Sequence, residues 1–139
     1  MITVLYILNG LALGMLYALA ASGLSFIFGF MKIINFAHGA IFMLGAYLAL
    51  TLVGLLQNFW LALLISPLIV AGIGWLLERF LLRKLSSREP LFSILLTFGL
   101  ALFLENVVKL FWGTDNYSYP APPMLQGTVS WFGYPYPMY

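Results

Sequence analysis

Two small groups of polar and ionisable side chains fall in or beside the apolar stretches of this chain of 139 residues. The first lies in the stretch MKIINFAHGAIF, Met31–Phe42, where Lys32, Asn35 and His38 stand close together beside Gly39. Before Glu78 the chain holds no other Lys, Arg, Asp, Glu or His. The second is Glu105 with Lys109, one helical turn apart. Ionisable groups inside apolar segments are functional candidates by default, because each is costly to place there. The chemistry open to them is narrow. A single His excludes a two-His zinc site within the chain. The absence of Cys excludes disulfides, thiolate metal sites and cysteine nucleophiles. GLSFI, Gly23–Ile27, begins like a nucleophile elbow but lacks its closing glycine. GIGWLL, Gly72–Leu77, falls short of the dinucleotide fingerprint, and no Walker A sequence is present. The expectation is a chain that is not an enzyme and carries no metal or cofactor. His38 is then either hydrogen-bonded to a neighbouring helix or turned toward a polar path or a partner subunit.

The elements that must position these residues follow from composition. The chain is 63% hydrophobic and 7% charged, with a mean hydropathy of +1.03. A soluble domain carries about 25% charged residues. So few polar groups cannot cover a globular surface, and the outer solvent is expected to be lipid. The net charge of +2 gives no basic patch able to neutralise nucleic-acid phosphates. The uncharged run Ile2–Met31 has no preceding Lys or Arg and exceeds a signal-peptide core, so it reads as a mature membrane helix.

A membrane span needs about 20 apolar residues. Four stretches qualify, at about 5–28, 36–56, 60–82 and 91–112. Gly29 is expected to end the first span in a left-handed conformation, and Asn35 to cap the second. Gln57–Phe59 leaves room only for a tight turn. Pro67 is expected to kink the third span or be compensated by neighbours. Pro90 suits the first turn of the fourth. Arg79, Arg83, Lys84 and Arg88 surround the loop after the third span, and short basic loops stay cytoplasmic. Counting from there, Lys32 is also inside, whereas the N-terminus and everything after Trp112 are outside. The expected fold is an all-α polytopic membrane protein of four transmembrane helices. Residues 1–112 form the transmembrane region. Residues 113–139 form an irregular external segment rich in Pro and Tyr, with Trp131 and Phe132, leading toward further spans.

Lipid does not drive helices together, so small and polar residues mark helix contacts. Gly10, Gly14, Ala18 and Ser22 recur every fourth residue as an expected packing stripe, and Gly45 with Ala49 forms a shorter patch. Ser93, Thr97, Ala101, Glu105 and Lys109 form another such row. Thr97 and Glu105 are candidate pathway residues. Glu105 either pairs with Lys109 near the outer interface or lines a cavity and helps set selectivity. Glu78 and Arg79 read as a solvated helix end.

NFAHG, Asn35–Gly39, followed by MLGAY, resembles the N-terminal signature of the branched-chain amino acid ABC-transporter membrane permeases. The resemblance extends from Asn9 through LLERFLLRKLSSREPL to LLTFGLALFLEN, ending at Asn106. It marks Asn35, Phe36, Ala37, His38 and Gly39 as family-motif residues and candidate pathway or partner contacts. It implies a bacterial inner-membrane permease that pairs with a second permease subunit. Two cytoplasmic ATPase subunits would drive it, and a periplasmic solute-binding protein would deliver branched-chain amino acids or related amides or urea. The family's second half carries an ATPase-docking loop rich in Gly, Arg and Ala. No such segment occurs here, so the chain is expected to be a piece or truncation of a permease. The alternatives are a passive solute channel, which also fits the physics, a secondary-carrier fragment, a non-transporting scaffold, or a non-functional truncated permease.

Overall fold

The structure, a computed structural model, describes residues 2–85, 90–115, 117, 122, 126–131 and 134–137. Helix α1 spans Ile2–Met31, α2 His38–Leu56 and α3 Phe59–Leu77. The chain continues from α3 through a π-helical turn, Glu78–Leu82, into the short helix α4, Arg83–Leu85. Helix α5 spans Pro90–Trp112, and strands β1, Thr128–Trp131, and β2, Tyr134–Pro137, close the described chain. Among the described residues, four helical stretches are long and apolar enough to cross a membrane: Thr3–Met31, His38–Leu56, Phe59–Leu82 and Leu91–Trp112. The all-α polytopic class is therefore correct. Arg88, expected in the basic loop, and Phe132 lie outside the described residues.

The chain divides into two compact units, Met1–Leu19 with Asn116–Tyr139, and Ala20–Asp115. In the first, the described helical residues are largely exposed. Its tail was expected to be irregular, but β1 and β2 pair antiparallel, with Val129 opposite Tyr136 and Trp131 opposite Tyr134. Tyr, Trp, Val and Thr favour extended backbone, and prolines are tolerated where a strand has a free edge.

In the second unit α2 packs on both α3 and α5. The buried face of α5 is Ser93, Thr97, Leu100, Leu104 and Val108, which mixes steps of three and four. The expected row at strict steps of four shares only its first two members with this face. Four residues turn a helix by about 400°, so a four-step row drifts around the helix by about 40° each time. Ala37, Leu44, Leu100, Leu104 and Val108 form the core cluster. On the α3 side, a Cβ at Gly45 would stand 3.5 Å from Val70 Cγ2, an ordinary packing distance, so the small patch on α2 does face a neighbour. Most other large apolar side chains lie outside, up to 86% exposed at Phe30. This is the arrangement of a chain whose outer solvent is hydrocarbon.

The helix ends show why these elements stop where they do. Gly29 remains helical, contrary to the expectation that it ends the first span. The left-handed residue is Lys32, at φ 55°, with its N–H donating to Phe28 O at 2.9 Å. The helix thus runs until the first charge and stops there, at a cost of about 1 kcal/mol for a left-handed residue bearing a Cβ. Between α2 and α3 the turn is built from two caps. Gln57, at φ 52°, closes α2 through a bond from its N–H to Val53 O. The next residue, Asn58, caps α3, its Oδ1 accepting from Trp60 and Leu61 N–H. α3 runs unbroken through Pro67. At the far end of α5, Trp112 Nε1 donates to Thr51 Oγ1 at 2.8 Å, and its ring stacks obliquely on Tyr47.

Candidate functional site

The segment between α1 and α2 is tied to three helices. Asn35 does not sit at the first residue of α2; it orders the turn before it. Its Oδ1 accepts from Ala37 N–H at 3.0 Å, and its backbone oxygen accepts from His38 N–H at 3.1 Å. The side chain thus accepts an amide two residues on, as an Asx cap does, while the α-helix itself begins at His38. Ala37 is fully buried and belongs to the core cluster. Phe36 and Gly39 are exposed.

His38 reaches back to α1. Its Nε2 lies 3.0 Å from Ala20 O. A carbonyl only accepts, so Nε2 carries the proton in this bond. Gly23 makes the approach possible: a Cβ there would stand 3.2 Å from His38 Cε1 and 3.3 Å from Nε2. Of the two roles open to His38 in the sequence, the hydrogen bond to a neighbouring helix is the one its Nε2 fills.

Thr97, fully buried on α5, completes the junction. Its Oγ1 lies 3.2 Å from Ile34 O, 3.0 Å from Ser93 O and 3.1 Å from Ile94 O. One hydroxyl hydrogen is shared among these carbonyls, and Ile34 O is the partner that joins α5 to the junction. Thr97→Val keeps the shape and removes this bond. The expected loss is about 1 kcal/mol, read as a lower thermal midpoint of the purified protein in detergent.

Beside the junction lies a cavity of about 450 Å³. Its wall is mostly aliphatic, and its polar lining residues are Asn35, His38 and Glu78, with Trp75 among the rest. Glu78 opens the π-helical turn, whose extra residue is marked by the bond from Arg83 N–H to Glu78 O. Single π-turns inside α-helices recur at functional sites. The expectation that Glu78 is a solvated helix end is not met: it is half-buried and lines the cavity. Its neighbour Arg79 stays outside, its guanidinium 5.4 Å from the centre of the Trp75 ring. Glu78 and Gly23 were both missed as site residues. The only signal for Glu78 was a lone acid before the basic loop, and Gly23 was one glycine among many.

Glu105 stands elsewhere. Its Oε1 lies 2.6 Å from Lys109 Nζ, and both side chains are about half exposed, at 45% and 49%. The cavity beside Asn35 does not include it. Glu105→Gln is expected to change folding stability by less than about 0.5 kcal/mol, checked by thermal unfolding, because exposed i,i+4 pairs contribute little. Gly10, Gly14, Ala18 and Ser22 are exposed along α1, and nothing lies within 4 Å of a Cβ placed on Gly10 or Gly14. The structure therefore brings together Asn35, Ala37, His38 and Thr97, and Glu105 makes none of these contacts.

Comparison with known proteins finds relatives of the sequence. The family described as "Branched-chain amino acid transport system / permease component" matches residues 6–133. The high-affinity branched-chain amino acid transport system permease protein LivH of Salmonella typhimurium is 32% identical over 122 residues, covering 81% of this chain and 40% of LivH. LivH of Escherichia coli is 30% identical over the same length. The corresponding permease protein BraD of Pseudomonas aeruginosa is 32% identical over 130 residues, 87% of this chain and 42% of BraD. The chain thus spans about two-fifths of the length of the curated relatives it matches. No solved structure matches it.

Proposed function

Because this chain belongs to the branched-chain amino acid transport permease family, we propose that it supplies part of the membrane pathway of an ATP-driven importer for branched-chain amino acids. The observation that carries this reading is one continuous match, residues 6–133, over all four helices long enough to span a membrane. Its place is the bacterial inner membrane, with the N-terminus outside and the junction and basic loop on the cytoplasmic side. Residues 1–112 are its membrane region and 113–139 its external loop. Its partners are a second permease subunit, cytoplasmic ATPase subunits and a periplasmic solute-binding protein. ATP binding would close the ATPases, and the seam between permease subunits would open outward to receive solute.

The junction fits this role. An importer changes the relation between its helices, and such rearrangement works through packed elements that move as units. His38 ties the start of α2 to α1, Thr97 ties the preceding segment to α5, and Asn35 orders that segment from within. The exposed α1 stripe, with its two glycines, is the surface we assign to the second permease subunit.

The test is uptake of radiolabelled leucine by cells in which the gene is deleted and then restored. Deletion is expected to abolish the ATP-dependent part of uptake, and the restored protein to co-purify with ATPase subunits. Uptake that persists without the gene, or flux that ignores ATP, would contradict the importer.

A further inference from the structure

The cavity beside the junction is a half-enclosed groove whose surface is almost wholly apolar. Along α3 and the π-turn its lining runs from Val70 to Leu82. Those twelve steps, at about 1.5 Å each, span about 18 Å, close to the roughly 15 Å of hydrocarbon in one leaflet. Gly74 lines the groove between these ends, and nothing lies within 4 Å of a Cβ placed there, so its wall is open at that point. One end is basic. Three lining residues are each followed directly by a cation: Met31 by Lys32, Glu78 by Arg79 and Leu82 by Arg83. All three cations are exposed, and none has an ion pair among the described residues. Arg79 lies against the ring of Trp75, itself a lining residue. Glu78 sets one negative charge against these three.

We propose that the groove holds one acyl chain of an anionic phospholipid, with the lipid phosphate among Lys32, Arg79 and Arg83. The inference rests on the cytoplasmic placement of this end of the helices and not on the solute carried. Anionic lipids gather in the cytoplasmic leaflet, and basic pockets between helices there hold their headgroups. Both halves of the site are needed. The chain covers apolar surface one leaflet deep, and the phosphate supplies the counter-charge that the rim lacks. A transmembrane helix, about 10 Å across with its side chains, could set only a ridge of them into the groove and would leave the basic rim unpaired. A zwitterionic lipid fills the groove but brings no net charge to the rim. A small soluble anion does the opposite.

The test uses the full chain in detergent with whatever subunits co-purify. It is titrated with phosphatidylglycerol and with phosphatidylcholine of the same acyl chains, and bound lipid is counted by native mass spectrometry. Wild type is expected to bind phosphatidylglycerol saturably and at least about tenfold more tightly than phosphatidylcholine, since each basic residue near a headgroup contributes about fivefold. Arg79→Gln and Arg83→Gln should each weaken phosphatidylglycerol about fivefold and leave phosphatidylcholine unchanged. Gly74→Leu places a side chain in the groove, and leucine suits a helix better than glycine does, so the fold is retained. It should weaken both lipids about tenfold, the loss expected when two methylenes are displaced. Gly72→Leu is the control: a Cβ there also meets nothing within 4 Å, but Gly72 does not line the groove, and binding should not change. Equal affinity for the two lipids, or equal effects of the two glycine substitutions, overturns the site. So does displacement of the lipid by soluble glycerol 3-phosphate, which would mean an anion site without a chain. Binding seen only when partner subunits are removed overturns it too, because a partner's helix would then fill the groove. Binding is read on purified protein, so it stands or falls separately from uptake.

Discussion

Ala37→Leu is expected to lower the yield of folded protein in the membrane more than any other single substitution at the junction. Ala37 is fully buried where the junction meets the core cluster of Leu44, Leu100, Leu104 and Val108. It also occupies the residue before α2, at φ −75° and ψ −4°, between Asn35 and His38. Leucine adds three heavy atoms to a space bounded on α5 by a continuous buried face. Overpacking a filled core costs about 1–3 kcal/mol, and here the backbone has little freedom to give way. Asn35 fixes it on one side through Ala37's own N–H, and His38 fixes it on the other. The added strain would break one of these bonds or separate α2 from α5. The measurement is the amount of monodisperse protein by size-exclusion chromatography across Ala37→Gly, Ala37→Val and Ala37→Leu. Glycine should be tolerated best and leucine least. Equal recovery of all three would show that the junction is not packed as described.

The second large effect is at Gly23. Gly23→Val is expected to destabilise by about 2 kcal/mol, because a Cβ there meets the His38 ring at 3.2 Å and the ring is held by Ala20 O. Helix propensity runs the other way, favouring most residues over glycine by a few tenths of a kcal/mol or more. A net loss therefore isolates the contact. Gly29→Val on the same helix is the control, since nothing lies within 4 Å of a Cβ there. A double-mutant cycle sharpens the point. When His38 is alanine, the cost of Gly23→Val should largely vanish, because the ring it strikes is gone. Additive losses would mean that Gly23 and His38 do not meet.

Gly23 also shows where sequence reading stopped. The four spans were legible because hydropathy over about 20 residues depends on no partner. Asn35 was legible as a residue whose side chain accepts an amide two residues on, but not its place in the turn before α2 rather than at the helix cap; the Glu105–Lys109 pair was legible because i,i+4 neighbours are fixed by the helix itself. What required the fold was long-range. The bond from His38 to Ala20 joins residues eighteen apart, and that from Thr97 to Ile34 residues sixty-three apart. No periodicity names such partners. The strict four-step row on α5 misled for a geometric reason, since it winds off the face that Leu100, Leu104 and Val108 bury. Glu78 was hidden because a lone acid before a basic loop reads the same whether it faces a groove between helices or the solvent.

The central claim is four crossings that leave the junction, the cavity and the basic residues after α3 on the cytoplasmic side. The chain has no cysteine, so each engineered cysteine is the only thiol. Lys84→Cys and Asp115→Cys, expressed separately in cells and exposed to a membrane-impermeant maleimide, test it most directly. Lys84→Cys should label only after the membrane is permeabilised, and Asp115→Cys should label in intact cells. Labelling of Lys84→Cys from outside, or of both positions from the same side, would contradict the account.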